Sequence, residues 1–155
     1  MKSHTMEHVL FFAVMWAFVF PNAFSVPIED CGSKVGSFTN VAISSCKGTD
    51  PVCILRKKSN VTLDILFTTN VTDNSVKAEV HGIIQGLPIP WPVQNPNACQ
   101  SSGLTCPLEP GNKYHYTATF RILQSYPTMH LQVKWELKNE NGDDIVCALI
   151  PVKIK

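Results

Sequence analysis

The chain is poor in charge: Asp, Glu, Lys and Arg make up 16% of its 155 residues, against roughly 25% in an ordinary globular domain. The formal net charge is +1, and no run of Lys or Arg offers a grip on a polyanion, so nucleic acid is excluded as a partner. Catalytic signatures are missing too. There is no Gly-x-Ser-x-Gly elbow, no His-Glu-x-x-His and no Gly-rich phosphate loop, which removes the commonest hydrolase, zinc-protease and nucleotide-binding readings. No Cys-x-x-Cys pair occurs, and the histidines do not cluster near thiols, so zinc-ligand spacing is absent. Beyond residue 26, His81, His115 and His130 fall on the polar side of alternating segments, where a solvated histidine is expected. The acids Asp64, Asp73, Glu79, Glu136 and Asp144 are scattered over polar faces and turns. No enzyme, resident metal or cofactor is expected. A helical 3.6-residue stripe is also lacking after residue 26.

What is present begins with an apolar run, Val9 to Phe20, preceded by Lys2 and followed by Ala23-Phe24-Ser25. This is a signal-peptide pattern with a small-x-small cleavage site; as a membrane anchor the run falls short of the ~20 apolar residues a spanning helix needs. Residues 1–25 are therefore expected to be cleaved, leaving 26–155 as one domain. All six cysteines lie after that segment, and an even count in an oxidising compartment reads as three disulfides. Cys46 with Cys53 and Cys99 with Cys106 are close enough in sequence to close local loops, which would leave Cys31 for Cys147. Sequence alone leaves fifteen pairings open. The sequons at Asn60 and Asn70 agree with passage through the secretory pathway.

Period two dominates the domain. From Met129 to Lys138, Met129, Leu131, Val133, Trp135 and Leu137 alternate with polar residues, a strand with one buried face. The same alternation runs through Val61, Leu63, Ile65 and Phe67, through Val76, Ala78 and Val80, and through Tyr114, Tyr116, Ala118, Phe120 and Ile122. Val41 and Ile43 suggest an earlier strand. The stretch Ile145 to Ile154 is almost continuously apolar, as a strand buried on both faces or paired centrally would be. Turn signals such as Asn141-Gly142 separate these segments, so the expected fold is an all-β, antiparallel β-sandwich. Both sequon asparagines share the parity of the polar positions Thr62 and Asp64, which sends their glycans to solvent.

In Gly86-Leu87-Pro88-Ile89-Pro90-Trp91-Pro92, alternate prolines remove backbone donors and bar the segment from the middle of a sheet. It is either a stiff rim that presents Ile89 and Trp91 to an apolar cavity, or a semi-rigid linker whose Trp caps a solid core. The inward residues Leu55, Leu63, Val80, Ile122, Trp135 and Ile150 are equally compatible with a cavity and with a filled interior.

Taken in order, Asp30-Cys31-Gly32, Val80-His81-Gly82-Ile83, the proline-rich segment, Cys99 to Cys106-Pro107, Ser125-Tyr126-Pro127 and Cys147-Ala148-Leu149-Ile150-Pro151-Val152 resemble the Niemann-Pick type C-two family of sterol and lipid carriers. The resemblance covers essentially the whole chain after residue 26. It implies an immunoglobulin-like sandwich of the lipid-recognition superfamily, disulfides Cys31/Cys147, Cys46/Cys53 and Cys99/Cys106, and a hydrophobic ligand cavity between the sheets. It places the cavity positions on Ile43, Leu55, Leu63, Val80, Ile89, Trp91, Ile122, Tyr126, Trp135 and Ile150, with Trp91 and Tyr126 as the gate. There are departures: Ala148 stands where vertebrate members carry an aromatic, Trp91 where they carry Phe, and Asp64 where they carry a glycosylated Asn. Such divergence resembles expanded arthropod members that carry fatty acids, alcohols or semiochemicals. The expected function is a secreted or lysosomal monomer that solubilises a sterol, fatty acid or long-chain alcohol with the ligand's polar end near the mouth. It would deliver that ligand to an acceptor membrane or a membrane sterol transporter. The alternative is a lipid-recognition module in innate immunity or chemosensory binding.

Overall fold

The computed structural model describes residues 26–155; the segment expected to be cleaved, 1–25, lies outside the described residues. Within them the regular elements are strands: β1 Glu29–Asp30, β2 Gly36–Ile43, β3 Cys53–Leu55, β4 Asn60–Thr69, β5 Lys77–Ile84, β6 Leu87–Trp91, β7 Lys113–Arg121, β8 Met129–Lys138 and β9 Asp144–Ile154. No helix among the described residues is long and apolar enough to cross a membrane.

Two sheets form. The larger has the order β1-β9-β8-β5-β6, with β3 alongside β9, and the smaller has the order β2-β4-β7. Pairing is antiparallel except at β3, which lies parallel to β9 through Cys53↔Val152 to Leu55↔Ile154. That pairing departs from the antiparallel expectation: β3 lies beside the last residues of β9, with the Cys46–Cys53 bridge at its first residue. The continuous apolar stretch is central, as expected: β9 pairs with β8 along Met129↔Ile154 to Lys138↔Asp144 and with β1 on its other side. The proline-rich segment is an edge strand bound to β5 alone.

Alternation determines which residues meet between the sheets. Val61, Leu63, Ile65 and Phe67 of β4, Tyr116 of β7, Leu131, Val133, Trp135 and Leu137 of β8, and Ile150, Val152 and Ile154 of β9 are buried in one core. Each burial of such a side chain contributes about 1.5–3 kcal/mol against exposure. The three disulfides are Cys31–Cys147, Cys46–Cys53 and Cys99–Cys106. Asn60 and Asn70, at the two ends of β4, are exposed.

Two acids differ from expectation. Glu136 is on the outer face of the larger sheet, as its parity requires, yet it is only 3% exposed. Asp73, in a turn, is buried outright; it accepts hydrogen bonds from the Thr69 hydroxyl at 2.6 Å and the Asn139 amide at 3.0 Å. Period two reports the face a side chain takes and not what lies over that face.

Candidate functional site

The two sheets part along the free edge of β7. The chain between β6 and β7 crosses this gap, and its backbone docks on the edge: the Thr117 N–H donates to the Ser102 carbonyl at 2.8 Å. Local bonds hold that crossing in shape. The Asn95 side chain donates to the Gln100 carbonyl and the Ser102 hydroxyl to the Ala98 carbonyl, while the Cys99–Cys106 bridge closes its base. Gly103 takes φ +86°, and a Cβ there would lie 2.7 Å from the His115 carbonyl oxygen, so only glycine allows this approach.

Beneath the crossing lies a cavity of about 520 Å³, within the roughly 300–1,000 Å³ of ligand sites. Its floor is apolar and aromatic, formed by Val80, Tyr116, Phe120, Val133 and Trp135, and its rim is polar, formed by Gln94, Asn95, Gln100 and Ser101. Trp91 and Pro92 also face a second cavity of about 150 Å³ with Ile89, Tyr126, Met129 and Leu131. The rings form a continuous chain from surface to interior. Tyr126 to Trp91 is 5.1 Å between centroids, Trp91 to Phe120 6.5 Å, Phe120 to Trp135 5.7 Å and Trp135 to Tyr116 6.2 Å. These are the separations of edge-to-face and tilted contacts, which hold ring planes in place. Trp91 is thus the partition between the two spaces.

The positions singled out from sequence separate into groups. Val80, Trp91 and Trp135 line the large cavity; Ile89, Trp91 and Tyr126 line the smaller one. Ile43 borders a shallow space of about 220 Å³ beside Val26 and Ile28. Leu55, Leu63, Ile122 and Ile150 face inward and are fully buried in the core, outside the lining of these three cavities. Tyr116 and Phe120 also line the large cavity; the β7 alternation aims both inward but does not distinguish cavity lining from core. The rim residues had no sequence signal, because the crossing has no periodicity.

Among the described residues, no Lys, Arg, Asp, Glu or His lines the large cavity. Burial pushes the Tyr116 phenol up to about 12, partly offset by the neighbouring Trp135 indole, so the hydroxyl stays protonated. The charged groups lie outside. On the outer face of the larger sheet, desolvation raises the Glu136 carboxyl, but Lys134 and Lys138 outweigh it and hold it below the ordinary range. Their ammonium nitrogens lie 2.8 and 3.1 Å away. Glu136, Asp144 and Cys147 approach one another within 4.8 Å, but the Cys147 sulfur is bonded to Cys31, and Lys138 bridges the two carboxylates. That arrangement is an ion-pair network with no free thiolate to ligate a metal. On the smaller sheet, His115 Nε2 lies 2.8 Å from Asp64 Oδ1, and the Thr117 hydroxyl donates to the same oxygen at 2.7 Å; this group sits on the open face. The cavity can sequester an apolar molecule.

Comparison with known proteins agrees with this geometry. The chain is 46% identical over 131 residues to the NPC intracellular cholesterol transporter 2 homolog a of Drosophila melanogaster, covering 84% of this chain and 88% of that one. It is 42% identical over 125 residues to the ecdysteroid-regulated 16 kDa protein of Manduca sexta, covering 81% and 86%. The crystal structure of a Niemann-Pick type C2 protein from Japanese carpenter ant superposes with a TM-score of 0.81 at 34% identity, over 83% of this chain and 99% of that one. The ML domain family matches residues 25–154, and with a sandwich of the same architecture to support the match, this chain belongs to the ML-domain family.

Proposed function

We propose that this protein is a secreted lipid carrier. It takes up a sterol, fatty acid or long-chain alcohol, holds it between its sheets away from water, and releases it to an acceptor membrane or membrane sterol transporter. The observation that carries this reading is the cavity of about 520 Å³ with an aromatic floor and, among the described residues, no charged side chain in its lining. The insect relative named as a cholesterol transporter supports it. Binding and release are the whole proposed activity, with no bond made or broken.

Desolvation drives uptake. At about 0.8 kcal/mol per buried methylene, a long acyl chain or sterol skeleton gains on the order of 10 kcal/mol before ordering and immobilisation are subtracted. Shape sets selectivity, and one methylene more or less changes affinity only modestly. Trp91, packed edge-on against Tyr126 and Phe120, is the gate, and the guest enters as the indole swings out of the partition between the two cavities. The exposed Asn60 and Asn70 carry glycans, and the protein acts as a monomer outside the cell or in the lysosomal lumen.

Two measurements test the reading. Native mass spectrometry of the secreted protein after mild extraction is expected to show a co-purifying lipid. Trp91→Asp is expected to weaken uptake of a fluorescent sterol at least tenfold with the circular dichroism spectrum unchanged, since Trp91 is only half-buried at an edge strand. Unchanged affinity would remove Trp91 from the gate.

A further inference from the structure

A polar groove of about 450 Å³ lies between the turn that joins β2 to β3 and the start of β4. Lys47 and Asp50 border it from the turn, Ile54 from β3, Arg56 and Ser59 from the chain leading into β4, and Asn60 from the first position of β4 itself. Asn60 is the acceptor of the sequon Asn60-Val61-Thr62, so a glycan attached there starts in the wall of the groove. Asn70, the other sequon asparagine, follows the opposite end of β4 and lies outside the lining of this groove.

The lining has the chemistry that an N-acetylated sugar requires. Among the described residues, no ion pair engages Lys47, Arg56 or Asp50, so two cationic donors and one carboxylate acceptor are uncommitted. Sugar hydroxyls donate and accept, and an acetamide offers one group of each kind, so both sorts of partner are used. Ile54 is half-buried between two fully buried neighbours and offers the one apolar spot that an acetyl methyl needs. Arg56 is held in place by its own backbone: its carbonyl accepts from the Ser59 hydroxyl at 2.6 Å, in a turn that takes Lys58 to φ 66°.

An open polar groove holds a free sugar poorly, because water competes for every hydrogen bond. Tethering changes the balance. A group attached to the wall itself has an effective concentration on the order of millimolar or more, and it has already lost the freedom that association costs. The turn is also the element that gains most from an added contact. It is closed by the Cys46–Cys53 bridge, and its tip is held by a backbone bond from the Asp50 N–H to the Lys47 carbonyl at 3.1 Å.

Resting on the reading that Asn60 is glycosylated, we infer that this groove is the seat of the Asn60 glycan. The first N-acetylglucosamine lies with its acetyl methyl on Ile54 and its polar groups on Lys47, Asp50 and Arg56, and it ties the β2–β3 turn to β4. The Asn70 glycan projects to solvent. The two sequons thus differ in role, one bracing an element of the fold and the other adding hydrated surface.

The test uses the protein secreted with high-mannose glycans, in three forms: untreated, trimmed with endoglycosidase H, which leaves a single N-acetylglucosamine on each asparagine, and stripped with peptide N-glycosidase F. Amide hydrogen exchange in residues 47–52 is expected to be the same in the untreated and trimmed forms and about tenfold faster in the stripped form, with residues 69–73 unchanged throughout. Asn60→Gln, which carries no sugar and keeps a neutral side chain, is expected to exchange like the stripped form, and Asn70→Gln like the untreated one. In the trimmed protein, the acetyl methyl on Asn60 is expected to show a nuclear Overhauser contact to the Ile54 methyls. Equal exchange in the trimmed and stripped forms would overturn the inference, as would the absence of that contact, whether or not either variant is secreted. Exchange that is already fast in the trimmed form would also overturn it, since the protection would then come from shielding by the outer mannoses. A peptide mass showing Asn60 without a sugar in the untreated protein would instead overturn the glycosylation reading on which it rests.

Discussion

Glu136 shows what it takes to bury a charge on the outside of a sheet. Directly across the ladder on one side is Cys147, whose bridge to Cys31 covers it, and on the other is Glu79. Lys134 and Lys138, the next residues on the same face of β8, fold over it, and His81 Nδ1 stands 3.5 Å away. Desolvation pushes the carboxyl up, but the two lysine contacts outweigh it and the pKa is held below the ordinary value. A carboxyl depressed in the folded state stabilises the fold at all pH above its unfolded value, and that contribution is lost as pH falls through the folded value. Glu136→Gln is therefore expected to destabilise the domain by about 2 kcal/mol at pH 7, the lysines being partly solvated. In urea titrations at pH 7 and near pH 3 the gap between variant and unaltered protein should close at the lower pH. A gap that persists in acid would mean that packing, and not the ion pairs, sets the cost.

The crossing from β6 to β7 is the element on which the cavity depends, because without it the free edge of β7 opens to solvent. Its hold is a backbone one, Thr117 to Ser102, made possible by Gly103 at φ +86° pressed on the His115 carbonyl. Gly103→Ala forces a Cβ into that carbonyl and an alanine into the left-handed region, at a cost of about 1–3 kcal/mol. The expected readout is local: hydrogen exchange at the Thr117 amide accelerates at least tenfold while the β8 and β9 amides keep their protection. Acceleration spread evenly through both sheets would show that the crossing is part of the global fold and not a separate lid. None of this was legible in the sequence, where the crossing has no period. β4, β5, β7 and β8 were legible because they are long enough for alternation to show, and β9 because its apolar run is almost unbroken, whereas β1 and β3, of two and three residues, are too short to show any pattern. The same limit applies to the site. Parity turned Val80, Trp135, Leu63 and Ile150 inward alike, but only the first two border the large cavity, since alternation records the face and is blind to whether that face meets a neighbour or a void.

A sandwich whose core is interrupted by a cavity gains from constraints besides packing, and the covalent bridges supply these from outside the cavity. Cys31 and Cys147 are 116 residues apart in sequence, and the other two bridges each span 7. By loop-closure entropy, removing the long bridge should cost about 5 kcal/mol and a short one about 2 kcal/mol. That cost falls on the unfolded chain, whereas a lipid acts on the folded one, adding about 2.7 kcal/mol at a hundredfold excess over its Kd. Neither Cys31 nor Cys147 lines the cavity, so the two effects should be independent and additive. The increment from cholesterol, read from urea unfolding, is therefore expected to be the same in the unaltered protein and in the Cys31→Ser/Cys147→Ser variant, which the lipid should restore about halfway. A smaller increment in the variant would mean that the bridge also sets the spacing of the sheets, because the loss would then include a cavity that no longer fits its guest.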